Sequence, residues 1–166
     1  MSPRYDVPKA APEPLRRVQL YVNSTDVEKG VDWLPDWLSE RGLTDALDRA
    51  QELREALRTL VLANNGFPLD PVAIATVNAA AARLTFRLSD DGVPRFAAVD
   101  AIDEVIAIAL GAMLDGSWPR LKACRNCHWS FYDYSPNRSA TWCSMQLCGN
   151  RKKTRDYRSR RRRDRV

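Results

Sequence analysis

All four cysteines of the 166-residue chain fall within 25 residues, as Cys124-x2-Cys127-x15-Cys143-x4-Cys148. No other feature limits the fold as strongly, because two close pairs flanking a spacer converge on one point only if the chain turns back between them. A two-residue gap lets a tight turn aim both sulfurs at one ion, and the spacer is long enough for a hairpin that returns the second pair. Four soft thiolates suit zinc, whose filled d shell imposes no geometry of its own. Disulfides and an iron–sulfur cluster are the competing uses of such a set. Disulfides fit poorly with a chain that opens Met1-Ser2-Pro3-Arg4-Tyr5-Asp6, with neither the cationic nor the apolar part of a secretion signal. The metal is expected to be structural, since four sulfurs close its shell, whereas a catalytic ion keeps a position open for water. Zinc deaminases place a His-x-Glu segment beside their Cys-x-x-Cys, and this chain has none. Its single histidine, His128, is expected at the surface or behind the ligands.

Charge is divided along the chain. Residues 121–166 hold 13 Lys and Arg against 3 Asp, a net +10, while residues 1–120 carry a net −5. Arg151, Arg155, Arg158 and Arg162 recur at four, three and four residues. A helix leaving the cysteine module would therefore carry a guanidinium stripe able to lie in a major groove or along phosphates. Apolar anchors are almost absent beyond Tyr157, so fraying is expected near Ser159. Repulsion among charges this dense favours a polyanion partner over a merely solvated tail. Arg151, Lys152, Lys153, Arg155 and Arg158 are the expected nucleic-acid contacts, because they leave the metal site first. Between the cysteine pairs, alternation puts Trp129, Phe131 and Asp133 on one face of a strand and Tyr132 and Tyr134 on the other. The first set suits a small core over the metal; the tyrosines suit either that core or stacking on bases.

Ahead of this module, residues 1–17 are rich in proline and without period, as a flexible arm would be. Val18 to Asn23 alternates like a short strand, or makes a helical turn. Trp33, Leu34, Trp37 and Leu38 mark one face of a short helix, with Pro35 in its first turn and Gly42 at its end. Thr44 is the expected cap of the clearest helix. Its Leu47, Ala50, Leu53, Leu57, Leu60 and Val61 keep three- and four-residue spacing, while Glu52, Arg54, Glu55 and Arg58 face water. Asn64-Asn65-Gly66 stops that helix, and Asp70-Pro71 starts another through Val77 and residues 79–82. Leu84-Thr85-Phe86-Arg87-Leu88 and Val93-Pro94-Arg95-Phe96 flank Ser89-Asp90-Asp91-Gly92 as a β-hairpin. Residues 100–114 read as a helix apolar on nearly every side, at the centre of a bundle. The longest apolar run, Val105 to Leu110, falls far short of the roughly 20 residues a membrane span needs. With no Gly-rich phosphate loop, nucleophile elbow or paired histidines, no enzyme is expected. Asn23 and Asp26 are polar enough to line a pocket, though turn and cap roles suit them better.

The run Trp142-Cys143-Ser144-Met145-x-x-Cys148-Gly149-Asn150-Arg151-x-Lys153 follows Cys124-x-x-Cys127 and Phe131-x-Asp133-x-Ser135-x-Asn137-x-Ser139. Together these residues resemble the CGNR zinc-finger family, named for Cys148-Gly149-Asn150-Arg151, over 121–160. Leu20-Tyr21-Val22-Asn23-Ser24 sits where the mostly helical ABATE domain, usually found before this finger, has a Leu-Asp-Phe-Val-Asn-Thr-like start. A weaker resemblance extends to about residue 120. The resemblance implies a bacterial, DNA-binding transcriptional regulator. Family members often carry extra arginines between the equivalent of Asn137 and the tryptophan; Ala140 and Thr141 stand there in this chain, which shifts phosphate contact onto the tail.

The expected protein is thus mainly α. A flexible arm (1–17) precedes a helical ABATE-like domain with a small β-hairpin (18–120). A treble-clef-like four-cysteine zinc finger ending in a basic helix follows (121–166). One structural zinc, held by Cys124, Cys127, Cys143 and Cys148, would present that helix to DNA in the cytoplasm. The helical domain would sense a small-molecule ligand or form a homodimer. An RNA- or ribosome-associated protein and a protein–protein adaptor with a basic tail are the alternatives. Because its helices carry their own period, 18–120 is expected to fold alone and to survive loss of the metal.

Overall fold

The structure, a computed structural model, describes residues 9–155. Leu15, Val18, Tyr21 and Val22 fall on one helical face, and Leu15–Val22 form α1 with those side chains buried. Leu15, one turn ahead of Val18, completes the stripe and decides for helix over strand. The reading of 1–17 as a loose arm does not hold for residues 9–17: Ala11 and Leu15 are core residues, and the Gln19 amide oxygen accepts the Ala11 N–H at 2.7 Å. A two-residue ribbon follows, β1 (Thr25–Asp26) antiparallel to β2 (Val31–Asp32). Then comes α2 (Leu34–Ser39), with Pro35 in its first turn, Leu34 and Leu38 buried, and Gly42 at φ +67° just past its end.

Thr44 does not cap the long helix. A 3-10 turn, Thr44–Ala46, intervenes, and α3 (Leu47–Ala63) starts after Ala46 with no side-chain cap. Asp70 and Asp100 do act as caps. Asp70 Oδ1 accepts the Val72 N–H, and Asp100 Oδ1 accepts those of Ile102 and Asp103, satisfying donors that a helix start leaves open. They begin α4 (Pro71–Ala81) and α5 (Ala101–Leu114). Between these lies the expected hairpin, β3 (Thr85–Leu88) with β4 (Pro94–Ala97), in the register Phe86↔Phe96. Helix α3 packs on α4 and α1 on α5, around Val22, Leu53, Leu57, Val61, Ile102 and Ile106. Helix α5 packs on both α1 and α4, but its apolar surface is not covered all round: Ile108, Gly111 and exposed Leu114 line an open groove of about 1080 Å³ beside the hairpin.

Two arginines expected on the wet face of α3 are buried. Arg54 Nη1 and Nη2 clasp both carboxylate oxygens of Asp32 at 2.6 and 2.9 Å. Burial opposes this charge, but the bonds it donates to Asp32 and Glu55 hold the guanidinium pKa above its usual value. Arg58 donates to the carbonyls of Val22 and His128 and to Glu55. Burial dominates there and pulls its pKa down. Replacing Arg58 with Ala takes this donor from the buried Val22 carbonyl, at about 1–3 kcal/mol, and from the half-buried His128 carbonyl, at less, so a loss of about 2–4 kcal/mol is expected. The check is a lower denaturant midpoint at unchanged slope. Lysine should not rescue it, because it lacks the planar fork that reaches both oxygens.

A 3-10 turn, Trp118–Arg120, leads into β5 (Leu121–Ala123), which pairs antiparallel with β6 (Ser130–Tyr132). Trp118, Leu121, Ala123 and Tyr132 join the same apolar cluster as α1, α3 and α5. A second cluster holds the four cysteines with Trp129 and Phe131. The β5–β6 ribbon thus serves two cores, one on each face. A boundary at residue 120 runs through the first of them.

Candidate metal centre and nucleic-acid interface

The β5–β6 ribbon reverses between the first two cysteines. The Cys124 N–H donates to the Trp129 carbonyl and the His128 N–H to the Cys124 carbonyl, both at 2.9 Å. His128 adopts φ +59°, the left-handed conformation that completes the reversal. It is a turn residue whose carbonyl receives Arg58. Cys143 arrives on an irregular segment, and Cys148 lies in a π-helical turn, Met145–Gly149, opened by Ser144 Oγ accepting the Leu147 N–H at 3.3 Å.

All four sulfurs are buried and lie within 4.8 Å of one another. Cys127–Cys143, Cys143–Cys148 and Cys127–Cys148 are 3.6, 3.7 and 3.5 Å apart. A disulfide would need about 2.05 Å. A tetrahedron with Zn–S bonds of about 2.3 Å separates its sulfurs by about 3.8 Å, so the donor set fits zinc in both chemistry and size. The sulfurs also cannot all ionise unaided. Hydrogen bonds from Cys127 and Cys143 draw the Cys124 thiol pKa well down, while the shared bond with Cys124 pushes Cys127 up to about 12 and Cys143 higher still. A divalent cation among them removes that conflict. The site holds one structural zinc through Cys124, Cys127, Cys143 and Cys148. Behind it, Asn126 Nδ2 approaches Cys148 Sγ at 3.6 Å.

Asp133 organises the loop that returns the chain to Cys143. Fully buried, it accepts Lys122 Nζ at 2.8 Å, Ser135 N–H and Oγ–H at 2.9 and 2.6 Å, and the Ala140 N–H at 3.0 Å. Lys122 Nζ donates further to the Arg138 and Ala140 carbonyls. Burial works against the Asp133 charge, but the bonds from Lys122 and Ser135 outweigh it and hold its pKa at about 2. A folded pKa below the unfolded one contributes stability above about pH 4 that is lost as pH falls toward 2. The Asp133-x-Ser135 part of the motif therefore holds a loop, and across neutral pH it holds it as a carboxylate.

Helical residues 150–155 follow the π turn. Arg151, Lys152, Lys153 and Arg155 are all exposed there; Arg158 lies outside the described residues. Arg151 pairs with Glu28 in the β1–β2 turn, and Arg155 donates to the Asn126 amide oxygen. At Gly149 an added Cβ would meet Met145 Sδ at 2.9 Å and the Trp142 ring at 3.4 Å, so a side chain there must push the methionine aside. Tyr132 is buried in the helical core and so is closed to bases, whereas Tyr134 is 60% exposed.

Sequence reasoning missed most of the residues that lock this module to the helices. The Asn23 amide copies a strand edge, accepting the Ser130 N–H at 2.7 Å and donating to its carbonyl at 2.9 Å, while its backbone N–H, bonded to the Gln19 carbonyl, takes the expected cap role at the end of α1. Asn64 Nδ2 donates to the Trp118 and Leu121 carbonyls, and Asn65 Nδ2 to those of Ala123 and Thr141. Arg125 Nε returns a bond to the Asn65 carbonyl at 2.7 Å. Asp26 takes the expected turn role, its Oδ1 accepting the N–H groups of Glu28 and Lys29. The only signal available was Asn64-Asn65 at a helix end, and it reads equally well as a plain stop.

Among the described residues no helix is long and apolar enough to cross a membrane. A search of curated proteins finds no significant match. Comparison with protein families places the CGNR zinc finger on residues 120–161. The ABATE family, described as "Putative stress-induced transcription regulator", matches residues 20–116. The second match spans more than half of the chain, from the last turn of α1 through α5, while the first takes in the whole four-sulfur centre. The chain belongs to the ABATE family of transcription regulators and carries a CGNR zinc finger after the ABATE region.

Proposed function

We propose that the chain regulates transcription by binding DNA through the basic helix that leaves its zinc centre. One observation carries this reading: Arg151, Lys152, Lys153 and Arg155 are exposed on the helical residues directly after the metal ligand Cys148. A cation three residues from a metal ligand is held in direction as well as position. Direction is what separates a base-edge contact from a mobile counter-charge. Arg158, outside the described residues, belongs to the same set, and the arginines beyond Ser159 would add affinity without selectivity. No catalytic step belongs to this reading. For the small-molecule ligand or second copy expected of the helical part, the groove beside α5 is the place to look, by thermal shift and light scattering.

The test is duplex binding across a salt series. With about five phosphates neutralised, log K should fall against log salt with a slope of roughly −4.5, and alanine at Arg151, Lys152, Lys153, Arg155 and Arg158 should flatten it. Arg155→Ala should cost about 1–3 kcal/mol and lower selectivity if it reads a base edge, whereas a phosphate contact weakens all sequences alike. Duplex binding that is absent at low salt, or unchanged in the five-alanine variant, would move the tail to RNA or to an acidic protein.

A further inference from the structure

The β1–β2 turn and the finger helix enclose a cleft of about 620 Å³ that brings together Glu28, Asn126, Gln146, Asn150, Arg151 and Arg155. We propose that this cleft is a phosphate-binding subsite for the nucleic-acid backbone, with Arg151 and Arg155 as its ligands, and that Glu28 occupies it as an internal stand-in until nucleic acid arrives. The inference rests on the DNA-binding reading above and adds to it a place and a competitor.

The chemistry of the two occupants is the same. A guanidinium forks onto a carboxylate or a phosphate through parallel N–H bonds, so a site built for one accepts the other. Glu28 is the sole acid among the described residues lining the cleft, and its carboxylate pairs with Arg151. Both walls are fixed. On the body side, Asp26 Oδ1 accepts the N–H groups of Glu28 and Lys29 at 3.1 and 3.2 Å, and Gly30 closes the turn at φ +66°. Arg54 anchors the next strand through Asp32. On the finger side, the Asn126 amide presents its nitrogen to Cys148 Sγ and its oxygen to Arg155. The zinc sulfur thereby sets which way that amide faces, and the amide sets Arg155.

The magnitude decides what kind of device this is. Side chains of Arg151 and Glu28 are 51% and 36% exposed, and an exposed ion pair is worth little. Glu28 therefore acts as a brake on binding rather than a lock.

The experiment uses the full, zinc-loaded chain and fluorescence anisotropy with duplex DNA at low and at physiological salt. Glu28→Gln keeps the shape and removes the charge, and should bind roughly two- to fivefold more tightly at low salt, with the gain shrinking as salt screens the pair. Glu40→Gln removes the same charge beside Arg41, away from the cleft, and should show a smaller gain. In an Arg151→Ala background, the gain from Glu28→Gln should shrink to about that of Glu40→Gln. Equal affinities of the Glu28 and Glu40 variants, or a Glu28→Gln gain that stays at full size without Arg151, overturn the inference while leaving DNA binding standing. Duplex binding by neither the wild type nor Glu28→Gln overturns both. Unchanged zinc content and melting temperature show that each variant is folded.

Discussion

Stripping the zinc, or replacing Cys143 with Ser, is expected to lower the thermal transition of the helical body together with that of the finger. From the sequence the body was expected to survive, since its helices have their own period. The structure places Trp118, Leu121, Ala123 and Tyr132 in the body's own apolar cluster. Asn23, Arg58, Asn64 and Asn65 meanwhile spend their side chains on finger carbonyls. Loss of the metal frees the β5–β6 ribbon and leaves those donors and that apolar face uncovered. Structural zinc contributes about 10–16 kcal/mol in small modules, comparable with or above the whole stability of an ordinary domain. Far-ultraviolet circular dichroism should therefore show helix and finger melting in one transition, shifted downward when zinc is removed. A fragment of residues 18–120 should be molten. Helical signal that melts at the wild-type temperature in the zinc-free chain would refute the shared core.

Lys122→Ala is expected to cost about 3–5 kcal/mol, the usual loss when one partner of a buried pair is removed and the other keeps its charge. Lys122 and Asp133 are 5% and 0% exposed, so water cannot replace the missing ammonium. Lys122 is the first of the contacts that lower the Asp133 pKa, so without it burial is opposed mainly by Ser135 and the carboxylate is left poorly compensated. Asp133→Asn added to Lys122→Ala should recover part of the loss, because it removes the unpaired charge, and the two substitutions should be clearly non-additive. Denaturant midpoints in zinc-saturated buffer measure all three. A Lys122→Ala midpoint equal to the wild type would show that the pair does not hold the loop. At acid pH the finger should fail earlier for a different reason, since protons compete with zinc for four thiolates well above the Asp133 pKa.

The cysteine set was legible because chelation is local: two short gaps and one return fix the answer whatever surrounds them. Helices α2, α4 and α5 were legible for similar reasons, their starts written in Pro35, Asp70-Pro71 and Asp100. Arg54 and Arg58 were misread because charge on a helix face ordinarily signals water. Their partners, Asp32, Val22 and His128, lie far along the chain and two of them offer only backbone carbonyls, which no side-chain pattern records. Tyr132 was ambiguous for a related reason. Alternation assigns it a face but not what covers that face, and the cover is the helical body. Glu28 and Asn126 gave no signal at all, since one reads as a turn acid and the other as filler between two cysteines.

The π-helical turn at Met145–Gly149 makes the metal a zero mark on an angular scale. Each residue of the helix that follows advances about 100° about its axis. Arg151 and Arg155, four apart, stay within about 40° of each other and share the side that faces the cleft. Lys153, two residues from either arginine, points about 160° away, to the opposite side. The charge of this helix is thus split by azimuth, and the split depends on the number of residues after Cys148 more than on which residues they are. Deleting Asn150 would leave the zinc ligands and net charge intact yet rotate both guanidiniums by about a quarter turn, at the loss of one uncharged residue of the cleft. Such a variant would separate the effect of aim from the effect of charge.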